Sequence, residues 1–335
     1  MAGLSGRGPT MLTAEALKRK IQSADDLLSV VKTMKALAAV SIRQYQRAVE
    51  SLSDYNRTVE MGLQIVLKQS VGAFKVGVGS SPRLGAIVFG TDQGLCGQLN
   101  SIIVQHALGE MGQTGIPKER RIVIAVGMRT ADILEDSGQK VFEILGTPGS
   151  TAGITPMVQD ITMVLESWRF KHSVENMHLY FNEYISGATY RPQTHKLLPV
   201  DRQWLLKLQK KRWDSRTLPM FTIEWETILR SLIREYLFVS IYRAFANSLA
   251  SENASRLAAM QNAEKNIEER LEELEVQFHS QRQMTITEEL LDIVAGFEAM
   301  KEDQRPVGKS GKTAAREGVA GASLTGGRVV PAALA

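Results

Sequence analysis

The sequence predicts an α/β chain in which two long terminal helices form an antiparallel coiled coil around an inserted, doubly wound α/β domain. Three observations carry this. Helix breakers avoid both ends: no proline lies between Pro9 and Pro82 or between Pro219 and Pro306, and no glycine between Gly8 and Gly62 or between Gly187 and Gly296. Apolar residues in the two breaker-free stretches recur at about 3.5-residue spacing. Between them, short apolar runs alternate with helical patterns.

The chain is predicted to begin with a flexible N-terminus over 1–12, followed by the first helix over 13–70. Stepping by four and three from Leu17 gives Ile21, Ala24, Leu28, Val31, Lys35, Ala38, Ile42, Tyr45, Val49, Leu52, Asn56, Val59, Leu63 and Val66. Only Lys35 and Asn56 interrupt this seam, and Thr13 offers an N-cap. At ~1.5 Å per residue the helix is a rod of roughly 80 Å. The second helix is predicted over 221–300, with a seam through Leu257, Met260, Ile267, Leu271, Leu274 and Phe278. A rod of roughly 115 Å is too long to bury its seam on a compact domain, so the two helices are expected to pair with each other. Residues 13–69 carry nine basic and six acidic side chains and residues 223–300 seven and fourteen, a complementary balance. The second helix outruns the first, so its C-terminal end is expected to project. Ile286, Leu290, Leu291, Ile293, Val294 and Phe297 there need another protein to cover them.

The predicted α/β domain spans 82–220. LGAIVFG (84–90) and RIVIAVG (121–127) are short apolar runs ending in glycine, the pattern of buried strands. KVFEIL (140–145), NMHLYFNEYIS (176–186) and THKLLPV (194–200) are the further strands. Helices are predicted near 101–111, 128–137 and 155–170. The alternation gives a mostly parallel, Rossmann-like sheet.

Several chemistries are excluded or left without support. One cysteine in 335 residues rules out an intramolecular disulfide framework and a multi-cysteine zinc site. The five histidines form no metal-binding pair, and no apolar run reaches the ~18–20 residues needed to cross a bilayer. The N-terminus lacks the apolar core of a secretory signal, so export is not expected. PVGKSGKT (306–313) approaches a phosphate loop but has Pro306 where the first glycine belongs. Cys96 reads as a buried structural thiol and Asp92 as a local turn cap. The basic run Lys207, Lys210, Lys211, Arg212 and Arg216, interleaved with Trp204 and Trp213, is open to three readings: a solvated loop, a nucleic-acid contact, or an anionic membrane surface or acidic partner.

Three stretches then carry a resemblance. LKRKIQSADDLLSVVKTMKALAA (17–39), TDQGLCGQLN (91–100), and the pair SLASENASRLAAMQNAEKN (248–266) and RQMTITEELLDIVAG (282–296) resemble the gamma subunits of F-type ATP synthases. The resemblance covers about residues 15 to 300. It implies a central-stalk rotor that is not itself an enzyme and needs no cofactor or metal. Ion flow through the membrane c ring turns the rotor, which drives ATP synthesis or hydrolysis at the beta subunits. It implies alpha, beta, epsilon and c-ring partners and no nucleic acid. It also implies a peripheral membrane location, on the cytoplasmic face of a bacterial inner membrane, with the mitochondrial matrix face as the less favoured alternative. Met34 falls on the methionine that faces a beta-subunit loop, with seam packing as the other reading. Arg282, Gln283, Thr287 and Glu289 fall on polar positions that touch the catalytic hexamer, and Asp92, Gly94, Leu95, Cys96 and Gly97 on a structural loop. Ser41, Gln93, Gln98 and Phe297 depart from the family pattern, which leaves the standard or alternative subtype and the coupling ion open. Residues 301–335, with six basic and three acidic side chains and no apolar period, are expected to be a disordered tail. The competing reading is an α/β enzyme or binding module whose coiled-coil arm grips RNA or a protein.

Overall fold

The computed structural model describes residues 13–69, 83–213, 215–217 and 219–303, with only the helical backbone described at 299 and 301–303. The expectations for 1–12, for 306–313 and for the tail beyond Asp303 lie outside the described residues. The chain divides into two compact units at Phe278/His279.

The first unit holds α1 (Ala14–Gln69), the sheet domain and most of α6 (Trp225–Asp303). Thr13 caps α1, its hydroxyl accepting from the Ala16 N–H at 3.3 Å. Every predicted seam position of α1 is buried or half-buried, with Leu17, Ala38, Val59, Leu63 and Val66 the most enclosed. The helices are antiparallel, as cross-helix pairs show. Lys32 meets Glu268 at 3.3 Å, Lys35 meets Glu264, and the Tyr55 hydroxyl donates to Glu235 at 2.6 Å. Positions that rise along α1 fall along α6. At Gly62 a β-carbon would come within 2.8 Å of Leu232, so the missing side chain lets the two helices close.

The inserted domain runs β1 (Leu84–Phe89), α2 (Leu99–Gln113), β2 (Arg121–Val126), α3 (Met128–Asp136), β3 (Glu143–Leu145), α4 (Ile154–His172), β4 (Asn176–Ser186), β5 (Thr189–Leu198) and α5 (Arg202–Lys210). The strand order is β3-β2-β1-β4-β5, parallel except for the β4–β5 hairpin. One face of the sheet packs on α2 and α3 through Val88, Val104, Met111 and Leu134. The other packs on α4 and α6 through Ile87, Phe89, Trp168, Ile241 and Phe245. Phe89 and Phe245 meet edge to face at 4.8 Å.

Three elements differ from the sequence expectation. The third strand is confined to Glu143–Leu145, because Lys140 and Val141 do not pair; pairing starts where the Phe142 N–H donates to Val123 at 2.7 Å. The last strand begins at Thr189, five residues early, since Pro192 is tolerated on an edge strand. Part of the basic run is helical. α5 buries Leu205 and Leu208 against Val59, Leu63 and Leu67 of α1, and turns its lysines outward.

The second unit is described over 279–303, all helical. From Ile286 onward its described side chains are exposed, Leu291 at 62% and Phe297 at 67%.

Candidate functional site: a polar bolt between shaft and sheet

β1 lies between β2 and β4, so the winding of the sheet reverses at its carboxyl end. Doubly wound sheets take ligands at such a switch point. Here residues 91–98 follow β1 and fold into a compact knot. The Asn100 amide oxygen accepts from the Thr91 N–H at 3.1 Å and its NH2 donates to the Thr91 hydroxyl at 2.8 Å. The Thr91 hydroxyl donates on to the Gln93 carbonyl at 2.7 Å. Gly127 enables this closure: it has φ +101° and a β-carbon there would lie 2.5 Å from the Thr91 backbone.

The Asp92 carboxylate reaches beyond its own turn. It accepts from the Met128 N–H at 2.9 Å, the Thr147 N–H at 2.6 Å and the Thr147 hydroxyl at 2.8 Å. It thereby ties the start of α3 and the segment after β3 to the β1 loop. Partial burial pushes its pKa up, but these hydrogen bonds prevail and hold the carboxyl below its ordinary value. Leu95 and Gly97 take left-handed conformations, φ 65° and 55°. Leu95 is exposed, and Gly94 has open space around it. Between them Cys96 is turned inward to 2% exposure, where burial raises its pKa.

α6 closes over this knot. The Ser255 hydroxyl donates to the Cys96 carbonyl at 2.6 Å, and the Ser251 hydroxyl to the Asn182 carbonyl of β4 at 2.9 Å. Ala244, Ala246, Ala250 and Ala254 are fully buried, and their small size lets the helix approach the strand ends. Glu252 is 6% exposed and pairs with Arg256 at 2.6 Å. Burial raises the pKa of Glu252 and the guanidinium offsets part of that rise. A cleft of about 390 Å³ remains beside the bolt, lined by Met34, Tyr45, Asp92, Thr147, Glu252 and Arg256 among others.

The structure therefore gathers Met34, Asp92 and the loop around Cys96 into one region. Arg282, Gln283, Thr287 and Glu289 are on exposed turns of α6 in the second unit, where the Thr287 hydroxyl donates to the Gln283 carbonyl at 2.8 Å. Sequence reasoning missed the bolt itself, Ser251 and Ser255, and the Glu252–Arg256 pair on α6 beside it. Its signal was present: Ser248, Ser251 and Ser255 keep the heptad spacing but put hydroxyls where a seam calls for leucine. Among the described residues no cluster of His, Cys, Asp or Glu is arranged to hold a metal, and no helix is long and apolar enough to cross a membrane.

The chain is thus an α/β coiled-coil protein, a long antiparallel helix pair tied to the switch point of a five-stranded sheet, with α6 lying over the crevice that such a sheet offers to ligands. The comparisons with known proteins agree. The family model described as ATP synthase matches residues 13–300. The ATP synthase gamma chain of Pasteurella multocida is 28% identical over 299 residues, covering 87% of this chain and all of its own. That of Nitrosomonas eutropha is 24% identical over the same shares. Among solved structures, a chain of the Euglena gracilis mitochondrial ATP synthase (OSCP/F1/c-ring, rotational state 3) superposes with a TM-score of 0.63. It is 18% identical, and the match covers 90% of this chain and 98% of that one. A chain of the rotor of the same synthase gives 0.58. The chain belongs to the ATP synthase gamma-subunit family, the central stalk of F-type ATP synthases.

Proposed function

We propose that this chain is the rotating, non-catalytic stalk of its ATP synthase. On this reading, ion flow turns a membrane c ring, the sheet domain and the foot of the coiled coil turn with it, and α6 carries the rotation to catalytic sites on beta subunits. The observation that carries the proposal is the pair of buried bonds that tie α6 to the sheet domain, from Ser251 to the Asn182 carbonyl and from Ser255 to the Cys96 carbonyl. Torque applied to the sheet domain reaches α6 through contacts that are enclosed and mutually satisfied, where slippage would leave buried polar groups unpaired.

Met34 and the turns bearing Arg282, Gln283, Thr287 and Glu289 form the contacts with the alpha–beta hexamer. The exposed apolar residues from Ile286 to Phe297 support this, since such a stripe needs a protein socket. The loop from Asp92 to Gly97 is structural. Epsilon and the c ring are the partners at the other end, and the site of action is the cytoplasmic face of a bacterial inner membrane. Bacterial relatives over the full length of their chains favour that location.

The test is a Glu289→Cys variant in the assembled synthase, disulfide-linked to a cysteine on the beta subunit. The link is expected to stop ion-driven ATP synthesis, and reduction to restore it. Synthesis that continues with the link intact overturns rotation of this helix.

A further inference from the structure

β5 is an edge strand: it pairs with β4 on one side and ends the sheet on the other. Apart from that ladder, residues 189–197 make no backbone-to-backbone hydrogen bond among the described residues. The open side faces a cleft of about 990 Å³ walled by β5, Phe181 and Glu183 of β4, α1, the start of α5 and α6. Gln193, Thr194, His195 and Lys196, four consecutive residues and so both faces of the strand, line it. The cleft therefore reaches the strand's open edge as well as the β4–β5 face that carries Phe181 and Glu183. Pro192, with no N–H to give, belongs at an outward-facing position. By the two-residue period, Thr194 and Lys196 then present N–H and C=O into the cleft.

The charges around that edge are unevenly engaged. Its acids already have partners: Glu183 accepts from Arg191 at 2.7 Å and from Gln193 at 3.1 Å, Glu60 from Asn56 at 2.9 Å, and Asp201 from the Gln203 N–H at 2.8 Å. Lys196, Arg202 and Arg243 line the same cleft and have no ion-pair partner among the described residues. The buried Nε2 of His195 also lacks a hydrogen-bond partner there. Trp204 and Tyr236, with ring centroids 5.1 Å apart, supply an aromatic wall.

We propose that β5 is a docking edge for an extended, acidic segment of a protein partner. The segment adds a sixth strand along Thr194–Lys196 and pairs its carboxylates with Lys196, Arg202 and Arg243. Unpaired ladder groups select an extended peptide, and the free cations select an acidic one. Arg191, Lys196 and Pro192 on the same edge discourage pairing with a second copy of this chain, which would bring like charges together. The inference rests on the reading of the chain as part of a multisubunit assembly.

The test is hydrogen exchange of single amides in the full chain. The probe is an eight-residue peptide alternating valine and glutamate, with a valine–lysine counterpart as control. The glutamate peptide is expected to slow exchange at Thr194 and Lys196 at least about tenfold, the lysine peptide to leave it unchanged, and the variant K196E/R202E/R243E to abolish the effect. Slowing by both peptides or by neither overturns the proposal. Protection in the free chain that grows with its concentration overturns it in favour of self-pairing. The same amides are then followed in the assembled synthase. Assembly with fast exchange at Thr194 and Lys196 sinks the docking edge and leaves the stalk reading intact. Failure to assemble with alpha, beta and c subunits sinks the stalk reading, while the peptide result still decides the edge.

Discussion

The Ser255 hydroxyl donates to the Cys96 carbonyl across 2.6 Å, joining residues 159 positions apart in the chain. Both partners are buried, so the bond links the terminal helix to the loop after β1 with no water to substitute for it. Ser255→Ala leaves the Cys96 carbonyl without its partner and is expected to destabilise the chain by about 1–3 kcal/mol. Urea unfolding of the two proteins measures this. An unchanged midpoint at equal slope would mean the bolt contributes nothing.

Glu252 and Asp92 are expected to give opposite pH responses. The folded-state pKa of Glu252 is raised above 4.5, chiefly by burial. The folded protein then binds that proton more tightly than the unfolded chain. The resulting stability is present below about pH 4.5 and is lost as pH rises through the folded value. The pKa of Asp92 is lowered below 3.8 by its hydrogen bonds from Thr147 and Met128 against the opposing effect of burial. Its contribution is present above about pH 3.8 and is lost as pH falls through the folded value. Asp92→Asn is expected to flatten the acid limb of the stability–pH curve and Glu252→Gln to flatten the limb above it. Chemical unfolding across pH 3 to 8 separates the two, and equal curves for both variants would refute the assignment.

The helix pair was legible because its signal is repeated: Leu28, Ala38, Ile42, Val59 and Leu63 recur at one spacing, and each position supports the next. The loop around Cys96 was legible as a motif but not as a bolt. Its partners Met128, Thr147 and Ser255 lie 36 or more residues from the residues they bond, and nothing local marks them. α5 was hidden because nine residues give only Leu205 and Leu208 as a buried pair, and the neighbouring lysines dominate the pattern. The early start of β5 was hidden by Pro192, which breaks a central strand but not an edge one.

Three loop glycines should respond differently to alanine. Gly94 has no neighbour within 4 Å of its added β-carbon, so Gly94→Ala is expected to fall within about 0.5 kcal/mol of the parent. Gly97→Ala, at φ 55°, is expected to cost about 1–2 kcal/mol. Gly127→Ala combines φ +101° with a backbone contact at 2.5 Å and should cost about 3 kcal/mol or more. Thermal unfolding ranks the three; a Gly127→Ala protein as stable as Gly94→Ala would contradict the closure at Thr91.

Lys35 and Glu264 face each other across the two helices at a partly buried seam position. Lys35→Glu places two carboxylates together and is expected to destabilise the pair by roughly 1–2 kcal/mol. Adding Glu264→Lys should restore most of the loss. The four proteins form a double-mutant cycle, read by denaturant unfolding. Additive effects would mean the two side chains do not interact.

Leu290, Leu291, Val294 and Phe297 are more than half exposed in the isolated chain. Replacing Leu291 and Phe297 with glutamate removes no buried contact, so stability should change by no more than about 0.5 kcal/mol, and the free chain should become more soluble. In the assembled synthase the same side chains enter a protein socket under the stalk reading, where two added charges would be desolvated. ATP synthesis is then expected to fall at least about tenfold, equivalent to ~1.4 kcal/mol. Measuring the melting temperature of the free chain beside the activity of the complex distinguishes a lost socket from a lost fold. Full activity with both glutamates in place would show that this apolar stripe is not what the catalytic subunits hold.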